Sequence, residues 1–447
     1  MSELLKAMLE KLDEPTARYT TLDQYYSGSQ PLAFLSPEAK LALGNRLGVM
    51  ASNIPKLAVT ALAERLRVVG FTGAELWTDW LRNDLDQLSG VVHRESLLLG
   101  DSFVMVWADP QGRPKVTVES AKQVAVQRDP GTREITAAVK RWQTSKTTEA
   151  VLYLPTAITR WRAQTTGATI TGFELVDTLS NPLGVVPVVD FRNGDRILDA
   201  RGTSEIDDLM PLCDALNKSL ADMMVTSEYV GRPRRWATGI ELTEEPVFDE
   251  DGNPVLDEND DPVTTEVNPI PEGARAMVSE QADAKFGQLE AADLAGYEAS
   301  VRVLLGQIMA VSTLPAHYVG IFTDNPASAD AMRAAEASLT ARAEARQATF
   351  GRAWEQVARL IVAVRDGVDP ASVNVRVHWA DAATRSVAQE ADAVTKLFAA
   401  GLLPQAFALK RLGYSDDDIA EIRTARRAEA LDVAGINFAQ LVTGGAA

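Results

Sequence analysis

Leu294-Ala295-Gly296-Tyr297-Glu298-Ala299-Ser300-Val301-Arg302-Val303-Leu304-Leu305-Gly306-Gln307-Ile308-Met309 runs on to Thr313-Leu314-Pro315-Ala316-His317-Tyr318, then Asp324-Asn325-Pro326, then an unbroken stretch to Val364. The large apolar residues of the first segment, Leu294, Tyr297, Val301, Leu304, Leu305, Ile308 and Met309, recur three and four apart, which predicts a helix. Leu314-Pro315 stops it, because proline supplies no N–H and restricts the residue before it. The segment from Ala327 to Val364 carries the longest helical pattern in the chain: Met332, Leu339, Ala343, Phe350, Trp354, Val357, Ile361 and Val364. Phe350, Trp354, Val357 and Ile361 share a face, Arg342 is expected on the opposite one, and Glu355 and Arg359 are spaced for an i,i+4 pair. At about 1.5 Å per residue such a helix is roughly 55 Å long, a strut across an assembly rather than a wall of one domain.

Upstream, Thr203-Ser204-Glu205 leads into Ile206, Leu209, Met210, Cys213, Leu216, Leu220, Met223 and Met224, a second apolar stripe that ends near Gly231-Arg232-Pro233. Between Arg235 and Arg275 there are twelve Asp and Glu and no Lys or Arg. With Asp251-Gly252-Asn253-Pro254 and Asp260-Asp261-Pro262 as turn text, this reads as an exposed hairpin inserted between two helices. Residues 1–100 are mainly helical, with Asn53-Ile54-Pro55 opening one helix and Leu85 to Leu99 forming another, closed by Gly100. From Ser102 the period becomes two, and six short strands follow between 103 and 162. A strand at 373–379 and three short helices broken at Gly401 and Gly413 complete the chain.

A length of 447 residues is ample for several domains with a real core. The formal net charge of −18 argues against tight nucleic-acid binding, since affinity for phosphates comes from counterion release onto Lys and Arg. The single cysteine, Cys213, excludes an internal disulfide and a Cys-based zinc site. No secretory h-region and no run of about 18 apolar residues is present, so the sequence reads as a soluble protein made in the cytosol, with no membrane contact.

Catalytic text is missing. There is no phosphate-binding glycine loop, no dinucleotide fingerprint, no H-E-x-x-H and no G-x-S-x-G. His93, His317 and His378 stand apart without neighbours at ligand spacing and read as packing or surface residues, so no metal and no cofactor is expected. The acidic runs at 249–253 and 257–262 lack the glycine of a calcium loop at the required position. Ser415 followed by Asp416, Asp417 and Asp418 caps a helix better than it opens a DNA-recognition helix. Arg232, Arg234 and Arg235 form a small basic cluster that either neutralises nearby acids or contacts phosphates or a partner.

A helix, a projecting insertion, a second helix ending in Leu-Pro, a short loop and a very long helix together resemble the tailed-bacteriophage portal proteins. Local text resembles the siphovirus branch of that family in order along about 400 residues. It includes Tyr25-Tyr26-Ser27-Gly28, Asn53, Glu64-Arg65-Leu66-Arg67-Val68-Val69-Gly70-Phe71 and Trp80-Leu81-Arg82-Asn83-Asp84-Leu85-Asp86. Gly100-Asp101-Ser102-Phe103-Val104, Val186-Pro187-Val188-Val189-Asp190-Phe191 and Lys285-Phe286-Gly287-Gln288-Leu289 continue it. Thr313 to Tyr318 and Ser328-Ala329-Asp330-Ala331-Met332-Arg333 complete it; the stretch 244–262 shows no strong match to the family.

The resemblance implies an α+β, mostly helical portal fold assembled as a closed ring, most often of twelve copies, around a central channel. It implies a wing at 1–203, stem helices at 204–231 and 289–313, a clip at 232–288, and a tunnel loop at 314–327. The long helix and a wing strand would occupy 328–385, and a helical crown 386–447. Double-stranded DNA would pass without sequence specificity, driven by a terminase large subunit. A head-tail connector would dock at the clip, where Arg232, Arg234 and Arg235 lie, and major capsid and scaffolding proteins would surround the ring. His317, Tyr318, Phe322, Thr323, Asp324 and Asn325 of the loop would face the channel. The site would be the portal vertex of the virion, assembled in the bacterial cytoplasm. Another structural head component, such as a head-closure or minor capsid protein, and an acidic enzyme of unrecognised type are the rival readings.

Overall fold

The computed structural model describes residues 2–34, 51–194, 196–231, 235–239, 243–247, 254–256, 262–267, 283–288, 294–321, 329–383, 387–412, 414 and 418–430. Helices α1 (Glu3–Asp13) and α2 (Thr16–Ser27) open the chain, the first capped by the Ser2 hydroxyl accepting from the Leu5 amide. Helix α3 (Ile54–Ala63) begins after Asn53, as its Pro55 dictates, but Asn53 caps with its backbone at φ 55° and not with its side chain. Strand β1 (Val68–Thr72), α4 (Trp77–Arg82) and α5 (Leu85–Leu99) follow, and α5 ends at Gly100 with φ 95°. That glycine is obligatory. A Cβ on Gly100 would sit 2.3 Å from the Gly202 carbonyl oxygen, where two strands of backbone touch.

Two antiparallel sheets come next. The first has the order β3 (Pro114–Ser120), β2 (Asp101–Ala108), β9 (Val188–Arg192). The second runs β4 (Val124–Arg128), β5 (Ile135–Gln143), β6 (Thr148–Tyr153), β7 (Ala157–Ala163), β8 (Phe173–Ser180). The six strands expected between 103 and 162 form; β8 and β9 add to them. Leu5, Met8, Leu9 and Leu12, one face of α1, cover Ala137, Val139, Ala150, Leu152 and Trp161 of the second sheet. Strand β2 is buried on both faces from Asp101 to Val106, packed by α5 and by the long helix, which explains its unbroken apolar text.

The chain then forms α6 (Met210–Gly231), two ribbons, α7 (Ala295–Ser312), a 3₁₀ turn (Ala316–Val319) and α8 (Ala329–Asp366). The first ribbon pairs β10 (Arg235–Thr238) with β13 (Lys285–Gln288), and the second pairs β11 (Thr243–Pro246) with β12 (Thr264–Val267). Helix α6 starts six residues later than the stripe suggested, because 205–209 form a tight turn and Pro211 sits in the first helical turn. The last strand, β14 (Arg376–Trp379), pairs with β1 and not with the 101–192 sheets. Helices α9 (Val387–Ala399) and α10 (Gln405–Arg411) and a helical segment at 418–430 close the description; Gly413 and Ser415 to Asp417 lie outside the described residues.

Helix α8 has 38 residues, close to 57 Å at about 1.5 Å per residue. Leu339, Ala343, Phe350, Trp354, Val357 and Ile361 are buried as their spacing predicts, whereas Met332 is 42% exposed where the helix runs out beyond the core. An aromatic nest holds the buried half. Trp354 packs on Trp80 at 4.8 Å and on Phe191 at 4.6 Å, and its indole N–H donates to His93 Nε2 at 2.8 Å. His93, fully buried, stacks on Phe350 at 5.5 Å. Burial drives its pKa down to about 3, the Leu66 backbone opposing this only in part, so the ring is neutral with its proton on Nδ1. The pair expected between Glu355 and Arg359 does not form. Glu355 is turned into the protein, where Arg376 of β14 and Arg352 reach it at 3.5 Å.

Candidate functional site

Helices α6 and α7 pack together, with Thr226 near the end of one hydrogen-bonded at 3.3 Å to Tyr297 at the start of the other. They are therefore antiparallel and carry the ribbons 235–288 at their far end. Near the body, α6 is fixed on one flank by the Tyr25 hydroxyl donating to Asp214 at 2.7 Å and by Asn217 accepting from the Ser52 amide at 2.9 Å. Burial and that carboxylate push the Tyr25 phenol pKa up. Cys213 is buried on the same helix, its thiol pushed up to about 12, so it is an inert packing residue.

Helix α7 ends as Leu314-Pro315 requires. Thr313 takes a left-handed conformation at φ 59°, and the Leu314 amide turns back to the Ser312 hydroxyl at 3.3 Å. The loop start is not free chain. Residues 316–319 make one 3₁₀ turn, closed by Gly320 at φ 78° and by the Ile321 amide donating to the Ala316 carbonyl. Tyr318 is half-buried against the core, and His317 packs on it at 4.9 Å. His317 Nε2 lies 3.5 Å from Glu336 of α8, a carboxylate that Arg65 holds from the other side at 3.0 Å. Thus His317 and Tyr318 are brought together at the foot of the loop. Phe322, Thr323, Asp324 and Asn325 lie outside the described residues, as do Arg232 and Arg234; Arg235 begins β10, its Cα opposite Gln288.

Arg342 is the residue most misplaced by sequence reasoning. Far from idling on an outer face, it donates to Glu205 at 2.6 Å and to the Val311 carbonyl at 3.3 Å. Arg346, one turn on, holds the same carboxylate at 2.9 Å, and the Asn193 amide adds a third contact at 3.0 Å. Glu205 is only 4% exposed, so the two guanidinium groups balance a charge that burial alone would not tolerate. Partners 141 positions apart leave no local signal in the text.

In the acidic insertion Glu245 to Val247, 254–256 and 262–265 are exposed, as are Trp236 and Phe286 of the neighbouring ribbon. The runs at 249–253 and 257–261 fall outside the described residues. Among the described residues no group of three or more His, Cys, Asp or Glu is arranged to hold a metal ion, and no helix is long and apolar enough to cross a membrane.

A family model, phage portal protein of the SPP1 Gp6-like type, matches residues 7–431. The portal protein of Mycobacterium phage D29 is 32% identical over 395 residues, spanning 83% of this chain and 77% of that protein. The portal protein of Mycobacterium phage L5 is 32% identical over 393 residues with the same coverage. Among solved structures, a chain in the neck of the empty gene transfer agent (GTA) particle, with C6 symmetry, aligns at TM-score 0.48 and 14% identity, over 89% of this chain and 93% of that one. A chain in the neck of the native particle, with C12 symmetry, aligns at TM-score 0.45 and 14% identity, over 89% and 99%. On the matched residues and the mycobacteriophage relatives, the chain belongs to the SPP1 Gp6-like phage portal proteins, structural and non-enzymatic components of the virion.

Proposed function

We propose that this chain closes into a ring of twelve copies at one capsid vertex, with double-stranded DNA passing through the centre. The α6–ribbon–α7–loop–α8 order carries the reading. An antiparallel helix pair holds a projecting β region away from the body, and a short connection leads straight into a 38-residue helix anchored in the core. In this reading 204–231 and 289–313 are the stem, 232–288 the clip, 314–327 the tunnel loop and 386–447 the crown. A terminase motor drives the DNA, a head-tail connector docks on the clip, and capsid and scaffolding proteins surround the ring. Met224 and Val303, 50% and 65% exposed on the stem helices, supply apolar surface for head-to-tail contacts between copies.

A channel for sliding DNA should hold it weakly. The loop text from 314 to 327 has no Lys or Arg, and the whole chain carries −18, so contacts there are steric, polar or aromatic and blind to sequence. Negative-stain imaging and native mass spectrometry test the ring: the expected particle has a central hole and roughly twelve times the 48.3 kDa chain mass. Monomers or dimers alone across a wide concentration range would exclude it. A variant with 318–324 replaced by Gly and Ser should form normal rings and fail in DNA packaging or retention; wild-type packaging would remove the loop from the channel reading.

A further inference from the structure

We propose that Arg342 is a positioning residue: by clasping Glu205 and the Val311 carbonyl together, it fixes the foot of the 314–328 connection to the entry of α6. The proposal takes the tunnel-loop assignment as its setting, but the geometry stands without it. Three segments meet at one buried carboxylate: the turn before α6, the end of β9, and α8. Glu205 itself lies in the turn before α6, and its amide donates to the Leu97 carbonyl at the end of α5. Asn193, at the end of β9, donates to both the Thr203 carbonyl and Glu205. Arg346 reaches the carboxylate from α8. Arg342 also touches α7, at the carbonyl of Val311, where the last turn of a helix leaves its C=O groups without intrahelical donors.

The two arginines therefore have different duties. Arg346 has a side chain 7% exposed and neutralises Glu205 inside the protein. The Arg342 side chain is 29% exposed, so it can be shortened without opening the core, and its second contact is with the helix that feeds the loop. Two residues after Val311, Thr313 turns left-handed; the 3₁₀ turn then follows, seated by His317 on Glu336. With Arg342 present, the loop foot is held from both sides. Without it, the contact of His317 with Glu336 remains at the foot of the loop.

The test is amide hydrogen exchange on purified full-length rings of wild type, Arg342→Met, Arg342→Lys and Arg346→Met. In Arg342→Met, exchange at Tyr318, Gly320 and Ile321, whose amides close the 3₁₀ turn, is expected to rise about tenfold, while 350–361 in the buried half of α8 stays unchanged. Arg342→Lys keeps a charge beside Glu205 but lacks the fork that reaches two acceptors, and should recover less than half of the lost protection. Arg346→Met should instead lower the melting temperature and raise exchange broadly. Unchanged protection at 318–321 in Arg342→Met overturns the proposal, and so does a rise that spreads equally through 350–361. Packaging is scored separately: the expected exchange pattern with wild-type packaging would sink the channel role of the loop and leave the positioning role of Arg342 standing.

Discussion

The buried half of α8 and the ribbons at 235–288 belong to one chain and obey opposite rules. Phe350, Trp354, Val357 and Ile361 are buried among the rings of Trp80, His93 and Phe191 and the aliphatic side chains of the main core. In and beside the ribbons, Trp236, Phe286, Leu256 and Val247 are between 37% and 50% exposed, and among the described residues each sheet has two named strands. A two-stranded ribbon is marginal by itself in water, so in the ring proposed above this region is the part that neighbouring copies would complete, while the core around Trp354 is packed within one copy. Stability of the fold and stability of the assembly are therefore separable, and substitutions in the two places should report on different quantities.

The largest effect is expected at Trp354. Trp354→Ala removes the ring between Trp80, Phe191 and His93 and leaves His93 Nε2 without its donor. The cost should be about 3–5 kcal/mol, read as a lower urea midpoint of the body and a lower yield of rings. An unchanged midpoint would mean that the body does not depend on this nest, and the contrast with the ribbons would collapse.

This half of the molecule was legible in the sequence because a helix repeats every 3.6 residues and a core face is apolar at that period. The same rule failed at Arg342, since a charged residue at a helical position reads as solvated unless its partner is known. Glu205, Val311 and Asn193 come from three distant segments, and no spacing in the text joins them. The acidic insertion was legible as exposed from charge alone, yet the pairing of 243–246 with 264–267 around it rests on backbone register that composition does not encode. His93, read as a packing or surface residue, is buried, and its bond to Trp354 spans 261 positions and had no local signature.

A second, pH-dependent effect sharpens the comparison. His93 has its pKa lowered from 6.5 to about 3 by burial, so below pH 6.5 the unfolded chain takes up a proton that the folded one refuses. Stability should then fall with falling pH, by about 1.4 kcal/mol per unit at the limit. Asp101, also buried, has its pKa raised to about 6, so the folded state takes up its proton first, and stability gains as pH falls from 6 towards 3.8. The two slopes oppose one another over that window. Replacing His93 with Phe keeps a ring against Phe350 and removes one slope, so the stability difference between wild type and variant should shift by about 2.5 kcal/mol between pH 6 and pH 4, in favour of the variant. Urea midpoints at the two pH values measure it; a constant difference would show that His93 is protonated or hydrated in the folded core.

The smallest effect belongs to the ribbons. Trp236 of β10 lies directly across from Gly287 of β13, and a Cβ at 287 would come within 2.4 Å of the indole. Gly287→Ala must therefore displace the tryptophan. Because Trp236 is 43% exposed, the indole can swing outward, and the strain should be no more than about 0.5–1.5 kcal/mol, the cost of a poor rotamer. Nothing in the aromatic nest around Trp354 is touched, so the urea midpoint of the body should stay at its wild-type value. The change should appear in the quantities that depend on neighbours: the concentration at which rings dissociate, and the tryptophan emission of the assembled particle, shifted red as the indole moves into water. A fall in the body's midpoint as large as that of Trp354→Ala would show that the ribbons fold with the core and that the two regions are one cooperative unit. A ring that dissociates at the wild-type concentration, with emission unshifted, would show that the cross-strand contact of Trp236 with Gly287 is not what the neighbouring copies complete.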